Sequence, residues 1–495
     1  MICTRQGSNL QPYDPKSYPT GLAYSKVKTH QGASRKGALT QYGLDGIGVA
    51  EKEQMRDLVL RGGPWSREEQ IKILDYCESD VAALARLLPA MLPRIDLPRA
   101  IYRGRYMAAA ASMEFTGVPI NLPLLIKLRE RWTAIQEQLI AKIDADYGVY
   151  EGRTFKADRF ESWLVQRRLS WPRLDSGRLD LSDDTFKEMA RAQPLLTKLR
   201  ELRHALSGMR LNDLAVGRDG FNRCLLSPFS ARTSRNQPSS TKFIFGPAKW
   251  LRGLIQPQPG WGLAYVDWVQ QEFGIAAALS NDQAMLAAYE SGDSYLAFAK
   301  QAGGVPDDAT KETHEPEREL FKQCVLGTQY GIEEESLAFR IGRHTLIARH
   351  LLQLHHQVYR QFWKWSDNTV DRALLHNSQA TVFGWTNHVL QNPNPRSIRN
   401  FHMQANGAEM LRLACCLATE NGIQVCAPVH DAVLIMAPID RLEADITSMR
   451  QYMEQASNIV LTGFRLRTDV KTVIYPEHYP SGHGLEMWQT VMALL

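Results

Sequence analysis

The sequence of 495 residues lacks the features that mark membrane, disulfide-rich and zinc-thiolate proteins. No apolar run approaches the roughly 18 residues of a membrane-spanning helix, and the N-terminus shows no charged stretch followed by an apolar one. The seven cysteines include no Cys-x-x-Cys pair and no disulfide framework. Internal repeats and low-complexity tracts are also absent. We therefore expect a soluble, cytoplasmic, monomeric protein of roughly two to four domains that does not bind membranes.

Carboxylates are missing from two long windows. No Asp or Glu occurs between Asp219 and Asp267 or between Asp371 and Glu409, although the net charge of the chain is only +5. The first window interleaves six basic residues with aromatic ones, and the second contains three arginines and three histidines. Unopposed cations beside aromatic rings are typical of a surface that follows a nucleic-acid backbone. A plain solvated loop remains the alternative for the first window.

Two aspartates at the ends of apolar strands are candidate catalytic residues. Asp267 follows the predicted strand 263–266, and Asp431 lies in a predicted tight turn between two apolar strands. If these strands are neighbours, both carboxylates face one cleft and repel each other unless a cation lies between them. Oxygen ligands without a Cys or His cluster favour Mg²⁺, and two such ions support in-line phosphoryl displacement. For this pair taken alone, two unrelated strand-end acids remain an equal alternative.

A basic helix is predicted between the two aspartates. Steps of four place Arg318, Lys322, Leu326 and Tyr330 on one slowly rotating face. The two cations would hold a triphosphate, and the apolar and aromatic side chains would pack on a base or sugar. An ordinary surface helix with a basic residue every four positions is the alternative.

A second predicted helix carries Arg396, Asn400 and Gln404 at steps of four. Three hydrogen-bonding side chains on one face, without acidic neighbours, suit the degenerate acceptors of a duplex minor groove. Such contacts would test the shape of a base pair rather than its sequence.

The order of these blocks resembles the family A DNA polymerases, the group of bacterial DNA polymerase I. Asp267 to Glu272 is similar to motif A of the family, Arg318 to Gly331 to motif B, and Val429 to Asp431 to motif C. Ser230 to Ser234 stands where the family has a Thr-Gly-Arg element, and Met113 to Ile120 resembles the beginning of its polymerase region. The likeness covers about residue 100 to the C-terminus.

The resemblance implies an α+β right-hand fold, with a palm built on an antiparallel sheet and with helical fingers and thumb. It implies that Asp267 and Asp431 hold two Mg²⁺ ions and that the partners are dNTPs and primer-template DNA. The implied nucleotide-binding residues are Glu272, Arg318, Lys322, Leu326 and Tyr330, with Glu272 crowding the sugar 2′ position. The implied DNA contacts are Arg232, Arg396, Asn400, Gln404 and His430. The implied domains are a thumb at 99–215, a palm at 216–290 and 380–495, and fingers at 291–379.

Four positions depart from the family pattern. Leu326 replaces an aromatic residue of motif B, which bears on sugar discrimination. Ala432 replaces the acid that commonly follows the motif C aspartate, Tyr295 stands where a His is usual, and Gly274 replaces the motif A arginine. None of these changes removes a predicted metal ligand.

The segment upstream is similar to the last motif, Tyr-x-x-x-Asp, of the 3′-5′ exonucleases that often precede such polymerases. Tyr76 and Asp80 supply that motif, but residues 1–60 contain no Asp-x-Glu, which those enzymes also need. We therefore predict that residues 39–98 are an exonuclease remnant without activity, or part of a chain whose true start lies further upstream. An ordinary amphipathic helix beginning at Ser66 is the alternative. Residues 1–38 are predicted to be a disordered leader.

The combined prediction is a template-directed DNA polymerase that uses two metal ions and acts in replication or repair. The alternative from another class is a non-catalytic DNA-binding protein with a degenerate polymerase fold. An RNA-synthesising relative is disfavoured by Glu272 and kept open by Leu326.

Overall fold

The computed structural model describes residues 35–44, 49–208, 211–389, 393–479 and 482–495. The chain forms two compact units, Met1–Ala108 and Ala109–Leu495. Of the predicted leader, residues 1–34 lie outside the described residues, and residues 35–38 belong to the first helix rather than to a disordered segment. Among the described residues, no helix is long and apolar enough to cross a membrane.

The first unit is helical. Its helices are α1 (Arg35–Gln41), α2 (Val49–Arg61), α3 (Arg67–Met91) and the first part of α4 (Leu97–Thr116). Helix α3 begins where the sequence predicts, because Ser66 forms a capping box with Glu69. The Glu69 N–H donates to Ser66 Oγ at 3.2 Å, and the Ser66 N–H donates to Glu69 Oε2 at 2.9 Å, so two helix-end donors are satisfied.

The core of this unit is small. Leu87 is buried with Ala83 and Met91 against Leu39 of α1. Other apolar residues of α3, namely Ile71, Leu74, Val81 and Leu88, are exposed. Within the described residues, the apolar positions of this helix are therefore only partly covered.

The second unit begins with a helical region held together by short strands. Asn121 caps helix α5, accepting from the Leu124 N–H at 3.0 Å, after a turn in which Gly117 has φ +72°. In chain order the elements are β1 (Val118–Pro119), α5 (Leu122–Asp144), β2 (Tyr150–Glu151), β3 (Thr154–Phe155), α6 (Ala157–Gln166), α7 (Asp183–Ala192), α8 (Thr197–Gly208) and β4 (Phe221–Asn222).

The remainder of the second unit builds a sheet and two sets of helices. Its elements are β5 (Trp261–Trp268), α9 (Gln271–Ser280), α10 (Gln283–Glu290), α11 (Ser294–Gln301), α12 (Glu315–Gln329), α13 (Glu334–Ile341), α14 (Thr345–Val358), α15 (Arg360–His376), β6 (Ser378–Ala380), β7 (Thr386–His388), α16 (Pro395–Glu420), β8 (Gln424–Val429), β9 (Ala432–Pro438), α17 (Ile439–Val460), β10 (Thr468–Ile474) and α18 (Leu485–Leu494).

The central sheet is antiparallel throughout, with the strand order β10-β5-β9-β8. Helix α17 packs on β5, β9 and β10, while α16 packs on α17, α9 and β8. Strands β5, β8 and β9 are apolar enough to be buried almost continuously, so their register is fixed. This arrangement confirms the predicted α+β fold with an antiparallel sheet. The assignment of thumb, palm and fingers stays a prediction.

Candidate active site

The sheet brings the two predicted catalytic aspartates together. Asp267 lies near the end of β5, directly opposite Ala432, the first residue of β9. The preceding residues, His430 and Asp431, form the two-residue connection from β8 to β9, and His430 has φ 57°. A turn of this kind needs positive φ and joins neighbouring antiparallel strands. The predicted tight turn is therefore confirmed, and Asp431 lies beside the strand that carries Asp267.

The Asp431 carboxylate opposes the ionisation of Asp267. Burial, the Asp431 carboxylate and the Asp469 carboxylate together raise the pKa of Asp267 to about 7. Burial also raises the pKa of Asp431. Within the described part of the chain, the buried oxygen Oδ1 of Asp267 has no hydrogen-bond partner. A desolvated acid without a donor is costly, so this position favours a cation as its missing partner.

The donor set fits a hard divalent cation that takes further ligands from outside the protein. The residues that the structure describes contain no cluster of three or more His, Cys, Asp or Glu able to hold a metal ion. Mg²⁺ is commonly bound by one or two carboxylates, with water and substrate phosphates completing its six ligands. Asp267 and Asp431 match that pattern, while a closed, all-protein metal cage does not.

A third acid faces the pair from the other neighbouring strand. Asp469 of β10 is directly opposite Asp267 in the register. Directly opposed residues of antiparallel strands project to the same face, which accounts for the effect of Asp469 on the pKa of Asp267. The Asp469 side chain is exposed and accepts from the Val470 N–H at 2.9 Å. No sequence motif marks Asp469, because only the strand register brings it near Asp267.

Glu272 forms a wall of the site in the first turn of α9. Its Oε1 accepts from Arg235 Nη2 at 3.3 Å. Its backbone carbonyl accepts from Gln329 Nε2, at the end of α12, at 2.9 Å. Burial raises the pKa of Glu272, and Arg235 opposes that change. Through these contacts, Glu272 joins motif A to the end of α12 and to the loop that carries Arg235.

The predicted basic face of α12 exists. Arg318, Lys322, Leu326 and the C-cap residue Tyr330 are all half-buried. Both cations are paired with acids: Arg318 Nη1 and Lys322 Nζ each lie 3.1 Å from Glu319 Oε1. Arg318 Nε also donates to an oxygen of Asp293. The prediction that these cations share a face is confirmed, but their pairing was not foreseen.

The face of α16 is placed as predicted, with Asn394 capping a helix that contains all three polar residues. Arg396 is exposed and pairs with Glu333 at 2.8 Å. Gln404 is half-buried, and the buried Oδ1 of Asn400 has no partner within the described residues. A buried acceptor without a donor is costly.

His430 precedes Asp431 in the connection between β8 and β9. Burial lowers its pKa, the Asp431 carboxylate raises it, and Arg252, Arg235 and Lys249 lower it further. Three cations of the first carboxylate-free window therefore act on the residue next to Asp431. This is the arrangement expected where a polyanion crosses a metal site.

Residues 246–474 match DNA polymerase family A. These residues make up 229 of the 495 positions of the chain. The match contains motif A, motif B and motif C, so the predicted resemblance is confirmed.

The chain is also similar to individual family A polymerases. It is 21% identical over 440 residues to DNA polymerase I of Chloroflexus aurantiacus, covering 81% of this chain and 46% of that protein. It is 22% identical over 408 residues to the DNA polymerase of Mycobacterium phage D29, covering 79% and 66%. It is 23% identical over 379 residues to the thermostable DNA polymerase I of Thermus aquaticus, covering 70% and 44%. The chain thus spans about half to two thirds of the length of these relatives.

A solved structure supports the fold. The POL domain of Pol1 from M. smegmatis, in complex with DNA primer-template and dNTP, superimposes with a TM-score of 0.61 at 19% identity. The superposition covers 84% of this chain and 78% of that domain. The fold of the matched part of the chain is therefore that of this POL domain.

Arg235 is not among the predicted DNA contacts, yet it lies beside Glu272 in the candidate active site. Arg232 is exposed, and its carbonyl accepts from Trp385 Nε1 at 3.0 Å. Arg235 contacts Glu272 and lowers the pKa of Asp431. The signal was present in the sequence, because Thr233-Ser234-Arg235 matches Thr-Gly-Arg at two of three positions, with Arg last.

A buried ion pair fixes the loop that carries Arg235. Arg412 and Glu409 of α16 are 3% and 1% exposed and lie 2.8 Å apart. Arg412 donates to the carbonyl of Ser234 at 2.7 Å and to its hydroxyl at 2.9 Å. Thr381 donates to Glu409 at 2.9 Å. The loop position next to Arg235 therefore rests on a desolvated, hydrogen-bonded pair.

Two departures from the family pattern have a packing explanation. A Cβ at Gly274 would lie 2.4 Å from Leu466 Cδ2 and 3.1 Å from Tyr289, so the motif A arginine does not fit here. Tyr295 is buried beside Arg318, whose guanidinium carbon lies 5.5 Å from the ring centroid. The Tyr295 ring therefore packs on Arg318, a residue predicted to bind the triphosphate, rather than facing solvent.

In the first unit, Tyr76 and Asp80 lie one turn apart on α3, and Asp80 is buried. They therefore have the helical spacing of the exonuclease motif that they resemble. The predicted loss of exonuclease activity stays a prediction.

Proposed function

We propose that this protein is a template-directed DNA polymerase that adds dNTPs to the 3′-hydroxyl of a primer. The observation that carries the proposal is the Asp267 and Asp431 pair at the edge of the sheet. Each aspartate has a raised pKa, and Asp267 has a buried oxygen without a partner within the described residues. The family match of residues 246–474 supports the same reaction.

We assign two different roles in nucleotidyl transfer to the acidic and the basic residues of the site. Asp267 and Asp431 would hold two Mg²⁺ ions, which activate the primer hydroxyl and neutralise charge on the phosphates. Arg318 and Lys322 bind the triphosphate, and their charge offsets that of the leaving pyrophosphate. Because the reaction is mainly a matter of placing the attacking oxygen in line with the α-phosphate, the rigid sheet register positions the carboxylates before substrate binds.

The nucleotide and the duplex would occupy the surfaces around the carboxylates. Glu272 crowds the sugar 2′ position, and Tyr330 stacks near the templating pair beyond Leu326. The primer-template contacts are Arg232, Arg235, Arg396, Asn400, Gln404 and His430. We assign the thumb to 99–215, the palm to 216–290 and 380–495, and the fingers to 291–379. The protein is expected to act in the cytoplasm as a monomer without exonuclease activity.

The test is primer extension with Asp267→Asn and Asp431→Asn variants. Each should lose incorporation by at least about a thousandfold while remaining folded, because one ligand of the metal pair is gone. Asp440→Asn is the matched control, since Asp440 is an exposed acid in the first turn of α17. Incorporation that survives either active-site change would refute the assignment.

The non-catalytic alternative has one observation in its favour, because both triphosphate-binding candidates of α12 are paired with acids. Salt-sensitive DNA binding is expected from either protein and does not separate them. Binding of primer-template by the unsubstituted protein without Mg²⁺-dependent incorporation would establish the alternative.

A further inference from the structure

Glu319 lies between the two cations of α12 that the proposed function assigns to the triphosphate. Its Oε1 is 3.1 Å from Arg318 Nη1 and 3.1 Å from Lys322 Nζ, and its Oε2 is 3.3 Å from Lys322 Nζ. One carboxylate thus contacts both cations, as a phosphate group would. Asp293 pairs with Arg318 from the other side.

The four groups together carry no net charge. Arg318 and Lys322 contribute two positive charges, and Glu319 and Asp293 contribute two negative ones. A triphosphate is strongly anionic and needs a surplus of positive charge at its site. At least one carboxylate must therefore give up its cations when a triphosphate binds.

Asp293 is anchored, and Glu319 is not. Asp293 Oδ1 caps α11 by accepting from the backbone N–H groups of Tyr295 and Leu296 at 3.1 and 3.2 Å. Within the described residues, the side chain of Glu319 contacts only the two cations and is 45% exposed. Ion pairs at such short helical spacings on an accessible surface are weak. Glu319 is the carboxylate that is free to leave.

A second set of cations is available to Glu319 on the opposite side. Glu319 lines a cavity of about 290 Å³ that Arg191 of α7 and Arg340 of α13 also line. Neither arginine forms an ion pair within the part of the chain that the structure describes. Burial and repulsion by Arg191 lower the pKa of Arg340, and Glu188 opposes this change. Two like charges facing one cavity favour the arrival of a carboxylate.

We propose that Glu319 occupies the triphosphate position in the free protein and moves toward Arg191 and Arg340 when a nucleotide triphosphate binds. Glu319 thereby determines nucleotide affinity: it competes for the cations before binding and joins α12 to α7 and α13 afterwards. This inference rests on the proposed role of Arg318 and Lys322.

The first experiment compares Glu319→Gln with Glu317→Gln. Both remove one negative charge from the beginning of the same helix, but Glu317 is exposed and lacks the contacts to Arg318 and Lys322. Glu319→Gln should lower the KM for dNTP by about fivefold with little change in kcat, because the charge that competes with the triphosphate for Arg318 and Lys322 has been removed. The effect should shrink from 0.05 to about 0.5 M salt as screening increases. Glu317→Gln should leave the KM unchanged.

The second experiment measures binding without catalysis. Calorimetric titration with inorganic triphosphate, in the absence of divalent metal, should show tighter binding for Glu319→Gln than for the unsubstituted protein. Arg340→Met should weaken this binding in the unsubstituted background and have little effect in the Glu319→Gln background, since the acceptor matters only when the carboxylate moves. Equal effects in both backgrounds would refute the movement toward Arg340.

The proposed triphosphate site and the proposed role of Glu319 can be refuted separately. If Arg318→Ala and Lys322→Ala leave the KM for dNTP unchanged, the proposed triphosphate site is wrong. If both raise the KM but Glu319→Gln does not lower it, the site stands and the role of Glu319 is refuted.

Discussion

The aspartate pair predicts that the folded protein loses stability as pH rises and that a divalent cation restores it. The pKa of Asp267 is about 7 in the folded protein, against an ordinary value of 3.8. Between these values the folded state binds more protons than the unfolded state, so the free energy of unfolding falls as pH increases. The loss begins near pH 4 and is complete above pH 7.

The magnitude follows from the width of that window. Between pH 5 and pH 8, about 1.4 kcal/mol per pH unit over the two units below pH 7 gives roughly 3 kcal/mol as an upper limit. Because Asp267 is half-buried and solvent screens part of the repulsion, we expect about 1–2 kcal/mol. Asp267→Asn removes the titrating group, so its stability relative to the unsubstituted protein should increase by that amount over the same interval.

The assay is urea unfolding at pH 5 and pH 8 in EDTA, followed by circular dichroism, for the unsubstituted protein and Asp267→Asn. Adding millimolar Mg²⁺ at pH 8 should recover the loss in the unsubstituted protein only, because the cation replaces the missing proton. Asp440→Asn serves again as the control. Parallel pH dependence of the unsubstituted protein and Asp267→Asn would refute the electrostatic argument.

Two further predictions concern the sugar and the packing of motif A. Glu272→Ala should increase rNTP incorporation relative to dNTP by at least about tenfold, because a side chain against the 2′ position is removed. Single-nucleotide extension measures this ratio. Unchanged discrimination between dNTP and rNTP would contradict the role of Glu272. Gly274→Ala should lower the free energy of unfolding by about 1–3 kcal/mol through overpacking against Leu466, as measured by urea denaturation. Gly104→Ala, where nothing lies within 4 Å of the added Cβ, is the control and should stabilise α4 by about 0.5–1 kcal/mol.

The sequence was sufficient where short-range rules decide the structure. The apolar runs around His430 and Asp431 predicted a hairpin, and Ser66 with Glu69 predicted the start of α3. Asp267 and Asp431 are 164 positions apart, and they meet because Asp267 lies near the end of β5 while Asp431 precedes the start of β9, its antiparallel neighbour. The ordered motifs added the expectation that these strands are neighbours.

Two of the features that the sequence does not reveal depend on long-range contacts. The pairing of Arg318 with Asp293 joins α12 to the cap of α11, and the proximity of Asp469 to Asp267 depends on strand register. Arg235 is harder to recognise because Ser234 replaces the glycine of the expected motif.

The buried pair of Arg412 and Glu409 has a consequence for how this loop can change over evolution. Replacing one partner leaves the other charge desolvated, a cost of about 3–5 kcal/mol. Exchanging both for apolar residues also removes the hydrogen bonds to Ser234 and Thr381. A single substitution at either position therefore destabilises the protein, which hinders stepwise replacement of the pair by apolar residues. Substitutions that change the position of Arg235 should therefore occur within the 231–235 loop itself. Arg412 and Glu409 of α16 should stay unchanged.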